Sequence, residues 1–131
     1  MTARSSRPCT TVLIVEDDFL VRDCAADALH EHGFEVLLAA NGPDALRLLE
    51  GSHVDAVFTD INMPGEFDGL GLARRVRQRW PHVAIVITSG RGCPDADVCC
   101  ARFVPKPYVP ETVARLIGEM TSRHPLLAVP L

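Results

Sequence analysis

The segment TVLIVEDD, residues 11–18, joins a short apolar run to three consecutive carboxylates. Its first five residues are apolar or β-branched, which is typical of a strand that a sheet buries on both faces. The acidic residues follow at the point where that strand ends. Because parallel sheets bind ligands beyond the carboxyl ends of their strands, the segment predicts a buried strand that leads directly into a polar site.

The same alternation of apolar run, turn and helical pattern recurs along the chain. Four more runs of aliphatic and β-branched residues predict strands at 34–39, 54–59, 83–88 and 102–104. Apolar residues at helical spacing predict helices between Asp18 and Gly33, and at about 43–50, 69–80 and 110–123. Asp18 and Asp68 each precede a helix and are predicted N-caps. Five strands that alternate with helices predict an α/β fold whose parallel sheet is covered on both faces.

The stretch between the last two predicted strands, residues 89–105, is the least regular part of the chain. Gly90, Gly92, Pro94 and Pro105 interrupt it, so a fourth helix there is expected to be short or irregular. Pro105 also favours a sheet edge for the fifth strand, where a missing N–H is tolerated. We expect one domain over residues 11–123, a flexible N-terminus at 1–10 and a short tail at 124–131.

Composition excludes several classes of protein. A length of 131 residues and a hydrophobic content of 47% fit one globular domain. The net charge of −4 argues against nucleic acid as the main partner, and a row of arginines is interpreted as a solvated helix face: Arg74, Arg75, Arg77 and Arg79. No apolar run is long enough to span a membrane, and residues 1–10 do not resemble a signal peptide. Five cysteines without a CxxC pair indicate reduced thiols. We therefore expect a cytoplasmic protein that binds neither DNA directly nor a membrane.

Polar residues with complementary chemistry follow the predicted strands. Glu16 and Asp17 follow the first strand, Asp60 the third, Thr88 ends the fourth, and Lys106 follows the fifth. Parallel strands bring these positions to one edge of the sheet. Clustered carboxylates repel one another, so such a site must protonate one of them or recruit a cation, for which oxygen ligands favour Mg²⁺. A carboxylate beside a metal ion and an ammonium is suited to becoming an acyl phosphate, because both cations can neutralise phosphoryl oxygens.

At these strand ends the sequence resembles the response-regulator receiver family. The similarity is carried by VLIVEDD at 12–18, DINMP at 60–64 with DGL at 68–70, ITSG at 87–90 and FVPKPY at 103–108. All four motifs occur in the family's order, and the resemblance covers roughly residues 11–123. It implies a flavodoxin-like, doubly wound sheet of five parallel strands in the order 2-1-3-4-5, with about five helices.

The resemblance also implies a metal-assisted phosphoacceptor. Asp60 would accept a phosphoryl group from a sensor histidine kinase or a histidine phosphotransfer protein. Asp17, Asp60 and the main-chain carbonyl of Asn62 would bind Mg²⁺ directly, and Glu16 would bind it through a water.

Three further residues are assigned by the same resemblance. Lys106 would pair with Asp60 and then with the phosphoryl group, Thr88 would swing toward that group, and Phe103 would change its packing in response. The Lys106–Pro107 peptide bond would be cis. For Phe103 the pattern favours plain core packing equally.

The implied function is a phosphorylation-dependent switch rather than an enzyme, with slow self-dephosphorylation. Output would come by contact with an unknown downstream protein or by phosphate shuttling. Two alternatives stay open: a pseudo-receiver that signals without phosphate, and a receiver cut from a larger hybrid kinase. A small-molecule enzyme is disfavoured, because no glycine-rich phosphate loop follows the first strand. The chain also departs from the commonest family pattern by one extra residue between Pro64 and Asp68.

Overall fold

The computed structural model describes residues 9–91 and 101–122, which contain one five-stranded parallel sheet. Its strands are β1 (Thr11–Val15), β2 (Glu35–Ala39), β3 (Ala56–Asp60), β4 (Ala84–Ser89) and β5 (Arg102–Pro105). The strand order is β2-β1-β3-β4-β5, so the predicted 2-1-3-4-5 topology is confirmed. Pro105 lies in β5 at the sheet edge, as predicted.

Four helices lie within the described residues: α1 (Phe19–Glu31), α2 (Gly42–Gly51), α3 (Gly69–Arg79) and α4 (Pro110–Thr121). The predicted short or irregular helix between β4 and β5 falls mostly on residues 92–100, outside the described part of the chain. Residues 1–8 of the predicted N-terminal segment and the whole predicted tail, 124–131, also lie outside it. In the described ranges, no helix is both long and apolar enough to cross a membrane.

The helices cover both faces of the sheet because successive strand residues point to opposite sides. Leu13 and Val15 of β1 belong to a core cluster with residues of α2 and α3. Val12 and Ile14 belong to a second cluster with residues of α1 and α4. The central strands are therefore apolar up to their carboxyl ends, and the predicted sheet with both faces covered is confirmed.

Side-chain caps define where the helices that flank the polar edge begin. The Asp18 carboxylate accepts hydrogen bonds from the Leu20 and Val21 amides at 3.0 and 3.2 Å. Asp68 does the same for the first turn of α3. Each cap satisfies helix N–H groups that have no partner within the helix. Both predicted N-caps are confirmed: α1 starts four residues after the end of β1, and α3 starts after the loop that follows β3.

The predicted strand at 54–59 begins later than expected, at Ala56. The preceding residue, Asp55, has its backbone and side chain engaged with β1. Its N–H donates to the Thr11 carbonyl (2.8 Å), and its carboxylate accepts from the Thr11 N–H at 2.9 Å. Asp55 is half-buried and joins β1 to β3 at the edge of the sheet opposite the polar residues.

The register brings the carboxyl ends of four strands together. Val15 is opposite Thr59, Asp60 is opposite Thr88, and Ser89 is opposite Pro105. The residues that follow these positions therefore emerge side by side at one edge of the sheet, where the polar site was predicted.

Candidate functional site

An ion pair between β3 and the segment after β5 forms the centre of the site. Lys106 Nζ lies 2.7 Å from Asp60 Oδ2 and 3.8 Å from Glu16 Oε1. Asp60 and Glu16 are buried, at 5% and 6% exposure. The structure thus brings together side chains that are 46 residues apart in sequence, as the strand-end reasoning required.

The Asp60 carboxylate is oriented through both of its oxygens. Oδ2 accepts from Lys106, and Oδ1 accepts from the Asn62 N–H at 3.0 Å. Hydrogen bonds to an ionised carboxylate are among the stronger ones in proteins. Each oxygen retains further lone pairs, so the carboxylate is fixed in direction and still able to bind another group.

Glu16 has its pKa raised above the ordinary value for a glutamate. Burial is the largest cause, and the neighbouring Asp60 and Asp17 charges act in the same direction. The Asp18 N–H, which donates to Glu16 Oε2 at 3.0 Å, and the Lys106 charge oppose the rise without cancelling it. Burial together with the repulsion between the carboxylates therefore outweighs the hydrogen bond and the single ammonium.

Lys106 stays protonated in this setting. Burial lowers its pKa, but the hydrogen bond and charge of Asp60 raise it, as do the charges of Glu16 and Asp17. The net effect is a raised pKa. The Lys106 ammonium is therefore a permanent positive charge beside the Asp60 carboxylate across the neutral pH range.

The oxygen donors at this edge fit a magnesium ion. Within residues 9–91 and 101–122, no three His, Cys, Asp or Glu side chains are grouped so that they alone enclose a metal. Mg²⁺ does not need such a cage, because it usually binds one or two carboxylates and keeps several waters. Asp17 is exposed, directly follows the buried Glu16, and its charge acts on both Glu16 and Lys106. A solvated dication could therefore reach this edge, and the repulsion between the carboxylates would favour its binding. Asn62 is also exposed, two residues after Asp60.

Thr88 places a hydroxyl next to β3 that has no partner in the described part of the chain. The side chain is buried, and Oγ1 has no hydrogen-bond partner among the described residues. A buried hydroxyl without a partner costs about 1–3 kcal/mol. Because Thr88 is directly opposite Asp60 in the sheet register, its free donor is available to an anion that arrives at Asp60.

The remaining predicted residues lie around this centre. Phe103 lies in β5, opposite Ile87 of β4. Its side chain is half-buried against the core cluster that contains residues of α2 and α3. The Lys106–Pro107 peptide bond is cis.

Arg22 was missed by the sequence reasoning. Its guanidinium donates to the Glu16 carbonyl at 2.8 Å and lies 5.6 Å from the Phe19 ring centroid. It thereby ties the acidic turn after β1 to the first turns of α1. A basic residue one turn into the helix after an acidic strand end was the available signal, but it could not show which atom the guanidinium contacts.

Tyr108 was also given no separate role. Its ring contacts Phe58 edge to face at 5.3 Å. Burial, followed by the charges of Glu16, Asp60 and Cys24, raises its pKa to about 12. The last motif contained this residue, but only the folded chain places its ring beside the acidic site.

Comparison with known proteins identifies the family. The family model for the response regulator receiver domain matches residues 12–116. The sensor kinase CckA of Brucella abortus is 37% identical over 123 residues, which cover 87% of this chain and 13% of that protein. A crystal structure of the receiver domain from the hybrid histidine kinase CckA has 32% identity and a TM-score of 0.74, covering 86% of this chain and 99% of that one.

A more distant structure shows the same fold. The CheY-like receiver domain protein from Methanospirillum hungatei JF-1 has a TM-score of 0.83 at 21% identity, over 92% of this chain and all of that one. The curated relatives are several times longer: the chain spans 13% of CckA and 22% of an NtrX-like response regulator of Rickettsia felis. The match over residues 12–116 and the agreement in fold lead to one conclusion. This chain belongs to the response regulator receiver domain family.

Proposed function

We propose that this receiver is a phosphorylation-dependent switch whose acceptor is Asp60. One observation carries the proposal: a buried carboxylate is held between the Lys106 ammonium and the Asn62 amide. It lies opposite Thr88, whose hydroxyl has no partner within residues 9–91 and 101–122. A phosphoryl group on Asp60, whose three terminal oxygens share its negative charge, would have the Lys106 ammonium on one side and the Thr88 hydroxyl on the other. A purely structural ion pair between Asp60 and Lys106 would not need that free donor.

The reaction is a phosphoryl transfer from the phosphohistidine of a sensor histidine kinase or a histidine phosphotransfer protein. A carboxylate oxygen of Asp60 attacks phosphorus, and the new O–P bond forms as the donor's N–P bond breaks. The electron pair of the broken bond returns to the imidazole nitrogen. Lys106 then moves its hydrogen bond from the carboxylate to a phosphoryl oxygen, where it neutralises part of the added charge.

Mg²⁺ bound at this edge would neutralise the charge that the phosphoryl group and the carboxylates share. Asp17, Asp60 and the Asn62 carbonyl would hold it, with Glu16 acting through a water. The pKa of Glu16, raised first by burial and then by the Asp60 and Asp17 charges, supports this donor set, since a dication would favour the charged carboxylates.

The response to phosphorylation involves Thr88 and Phe103. The Thr88 hydroxyl donates to the phosphoryl group, and its displacement lets the Phe103 ring change its packing against the core. The added charge thereby biases an equilibrium between two conformations that exist beforehand. Output is passed to an unknown downstream protein in the cytoplasm, or the phosphoryl group is shuttled onward. The chain is a phosphoacceptor with slow hydrolysis of its own acyl phosphate rather than an enzyme, and direct DNA binding is not part of its function.

A second candidate is a receiver that works as part of a hybrid kinase. The similarity to the CckA receiver over nearly all of that domain favours it. The chemistry at Asp60 would be the same, and the donor would then be a histidine of the same kinase assembly.

Acetyl phosphate with Mg²⁺, followed by intact mass measurement, tests the function. The wild-type chain should gain the mass of one phosphoryl group, and the gain should disappear when EDTA removes Mg²⁺. Asp60→Asn should remain unlabelled. Asp27→Asn, which changes an exposed aspartate of α1, is the matched control and should be labelled normally. A folded wild-type chain that gains no mass, or an Asp60→Asn chain that still gains it, would contradict the proposal.

A further inference from the structure

The loop between β3 and α3, residues 61–68, carries Asn62 and contains the extra residue that the family's commonest pattern lacks. Gly65 lies in this loop with φ at +117°, a conformation that side-chain-bearing residues rarely adopt. Met63 is buried in the core cluster shared by α2 and α3. The longer loop is therefore folded back onto the domain rather than extended into solvent.

Phe67 fills a slot that two glycines create. A Cβ atom on Gly42, the first residue of α2, would lie 2.2 Å from Phe67 Cε1. A Cβ atom on Gly71, in the first turn of α3, would lie 2.9 Å from Phe67 Cβ. On its other side the ring carries the Arg75 guanidinium, 3.9 Å from the ring centroid. The aromatic side chain thus joins the loop to the starts of two helices.

The base of the same loop is closed tightly. The Gly69 N–H donates to the Ile61 carbonyl at 2.9 Å, and a Cβ atom on Gly69 would lie only 2.1 Å from the Asp60 carbonyl oxygen. Within this closed loop the Asn62 N–H donates to Asp60 Oδ1. The main chain at Asn62 therefore belongs to the same closed loop that Phe67 joins to the starts of α2 and α3.

We propose that Phe67 is a positioning residue for the site: its ring, held between Gly42 and Gly71, fixes the longer loop so that the Asn62 main chain stays beside Asp60. The inference rests on the proposed function for its Mg²⁺ readout. The inference also explains the extra loop residue: Gly65 turns the longer loop back, and this allows the Phe67 ring to reach α2.

The first test replaces the ring. Phe67→Ala should weaken Mg²⁺ binding roughly tenfold by isothermal titration, the lower end of the effect of residues that orient metal ligands. Amide hydrogen exchange of the peptide covering 61–68, measured without Mg²⁺, should become faster, while exchange in α4 stays as in wild type. Phe67→Leu, which keeps much of the apolar volume but not the flat ring, should show both effects more weakly. If Phe67→Ala fails to fold, the Mg²⁺ affinity and the exchange rate of Phe67→Leu test the positioning role instead.

The second test keeps the ring and fills its slot. Gly42→Ala should displace the ring and reproduce the loss of Mg²⁺ affinity. Gly51→Ala is the control on the same helix, because nothing lies within 4 Å of its added Cβ, and it should leave the affinity unchanged. In the Phe67→Ala background, Gly42→Ala should add little, because the ring it would strike is gone.

The outcomes separate this inference from the proposed function. Unchanged exchange at 61–68 in folded Phe67→Ala, or fully additive losses in the double variant, would overturn the positioning role while wild-type Mg²⁺ binding and labelling stand. A wild-type chain that binds no Mg²⁺ would overturn the function instead, and the metal-free exchange experiment would still decide what Phe67 does to the loop.

Discussion

Thr88→Val should stabilise the unphosphorylated protein while impairing its response to phosphorylation. Valine has nearly the shape of threonine, so the substitution exchanges a buried hydroxyl for a methyl group. In most buried positions this would destabilise the protein, because the hydroxyl has a partner. Here Oγ1 has none among the described residues, and the side chain is only 2% exposed.

The magnitude follows from the desolvation of that hydroxyl. An unsatisfied buried polar group costs about 1–3 kcal/mol, so its removal should add roughly 1 kcal/mol or slightly more to the free energy of unfolding. For a domain of this size that corresponds to a rise of about 3–5 °C in Tm. The same substitution deletes the donor proposed to contact the phosphoryl group, so phosphorylation should stabilise the variant less than it stabilises wild type.

Thr59→Val provides a control of opposite sign. Thr59 is buried in β3, but its hydroxyl donates to the Asp60 carbonyl at 3.0 Å. Its loss should lower stability by about 1 kcal/mol. Urea and thermal unfolding of both variants, with and without acetyl phosphate and Mg²⁺, would measure the difference. If Thr88→Val is destabilised as much as Thr59→Val, the Thr88 hydroxyl is not an unsatisfied group and the reasoning fails.

Three other predictions concern the charges of the site. Asp17→Asn should weaken Mg²⁺ binding about tenfold in a calorimetric titration by removing a charged ligand, and unchanged affinity would exclude Asp17 from the ligand set. Lys106→Met should lower the free energy of unfolding by about 2 kcal/mol, because Asp60 and Glu16 lose their cation, and added Mg²⁺ should restore more stability to this variant than to wild type in urea titrations. Tyr108 is the only tyrosine of the chain, so its phenolate absorbance should titrate near 12 in the folded protein. In the unfolded chain Tyr108 has the ordinary pKa of 10.0, so the unfolded state loses this proton at a lower pH than the folded state does. The free energy of unfolding should therefore fall as pH rises from 10 toward 12. A midpoint near 10 in protein that circular dichroism shows to be folded would contradict the buried setting of the ring.

The fold was predictable because the central strands are buried on both faces. Residues such as Leu13 and Ile14 point to different core clusters, so the sequence must be apolar without interruption, and that signal is easy to read. The position of the site followed from topology, since parallel strands place their carboxyl ends at one edge. Strand starts were less predictable: Val54 is buried and apolar, yet β3 begins only at Ala56.

Contacts between distant side chains could not be read from the sequence. The Phe67 ring meets Gly42 across 25 positions of the chain, and neither residue carries a local signal of the other. The unpartnered state of Thr88 depends on what the folded chain leaves around Oγ1. Such features belong to packing, which sequence periodicity constrains only through which side of an element is apolar.

The strand pairing determines which part of the domain can move. Asp60 ends a strand that is bonded to β1 on one side and to β4 on the other, whereas β5 is bonded to β4 alone within the described residues. Asp60, the proposed acceptor, is therefore held in place by strand pairing on both sides. A displacement that starts at Asp60 breaks the fewest strand-pairing hydrogen bonds when it passes through Thr88 of β4 to the outermost strand, β5. That strand contains Phe103 and is followed directly by Lys106.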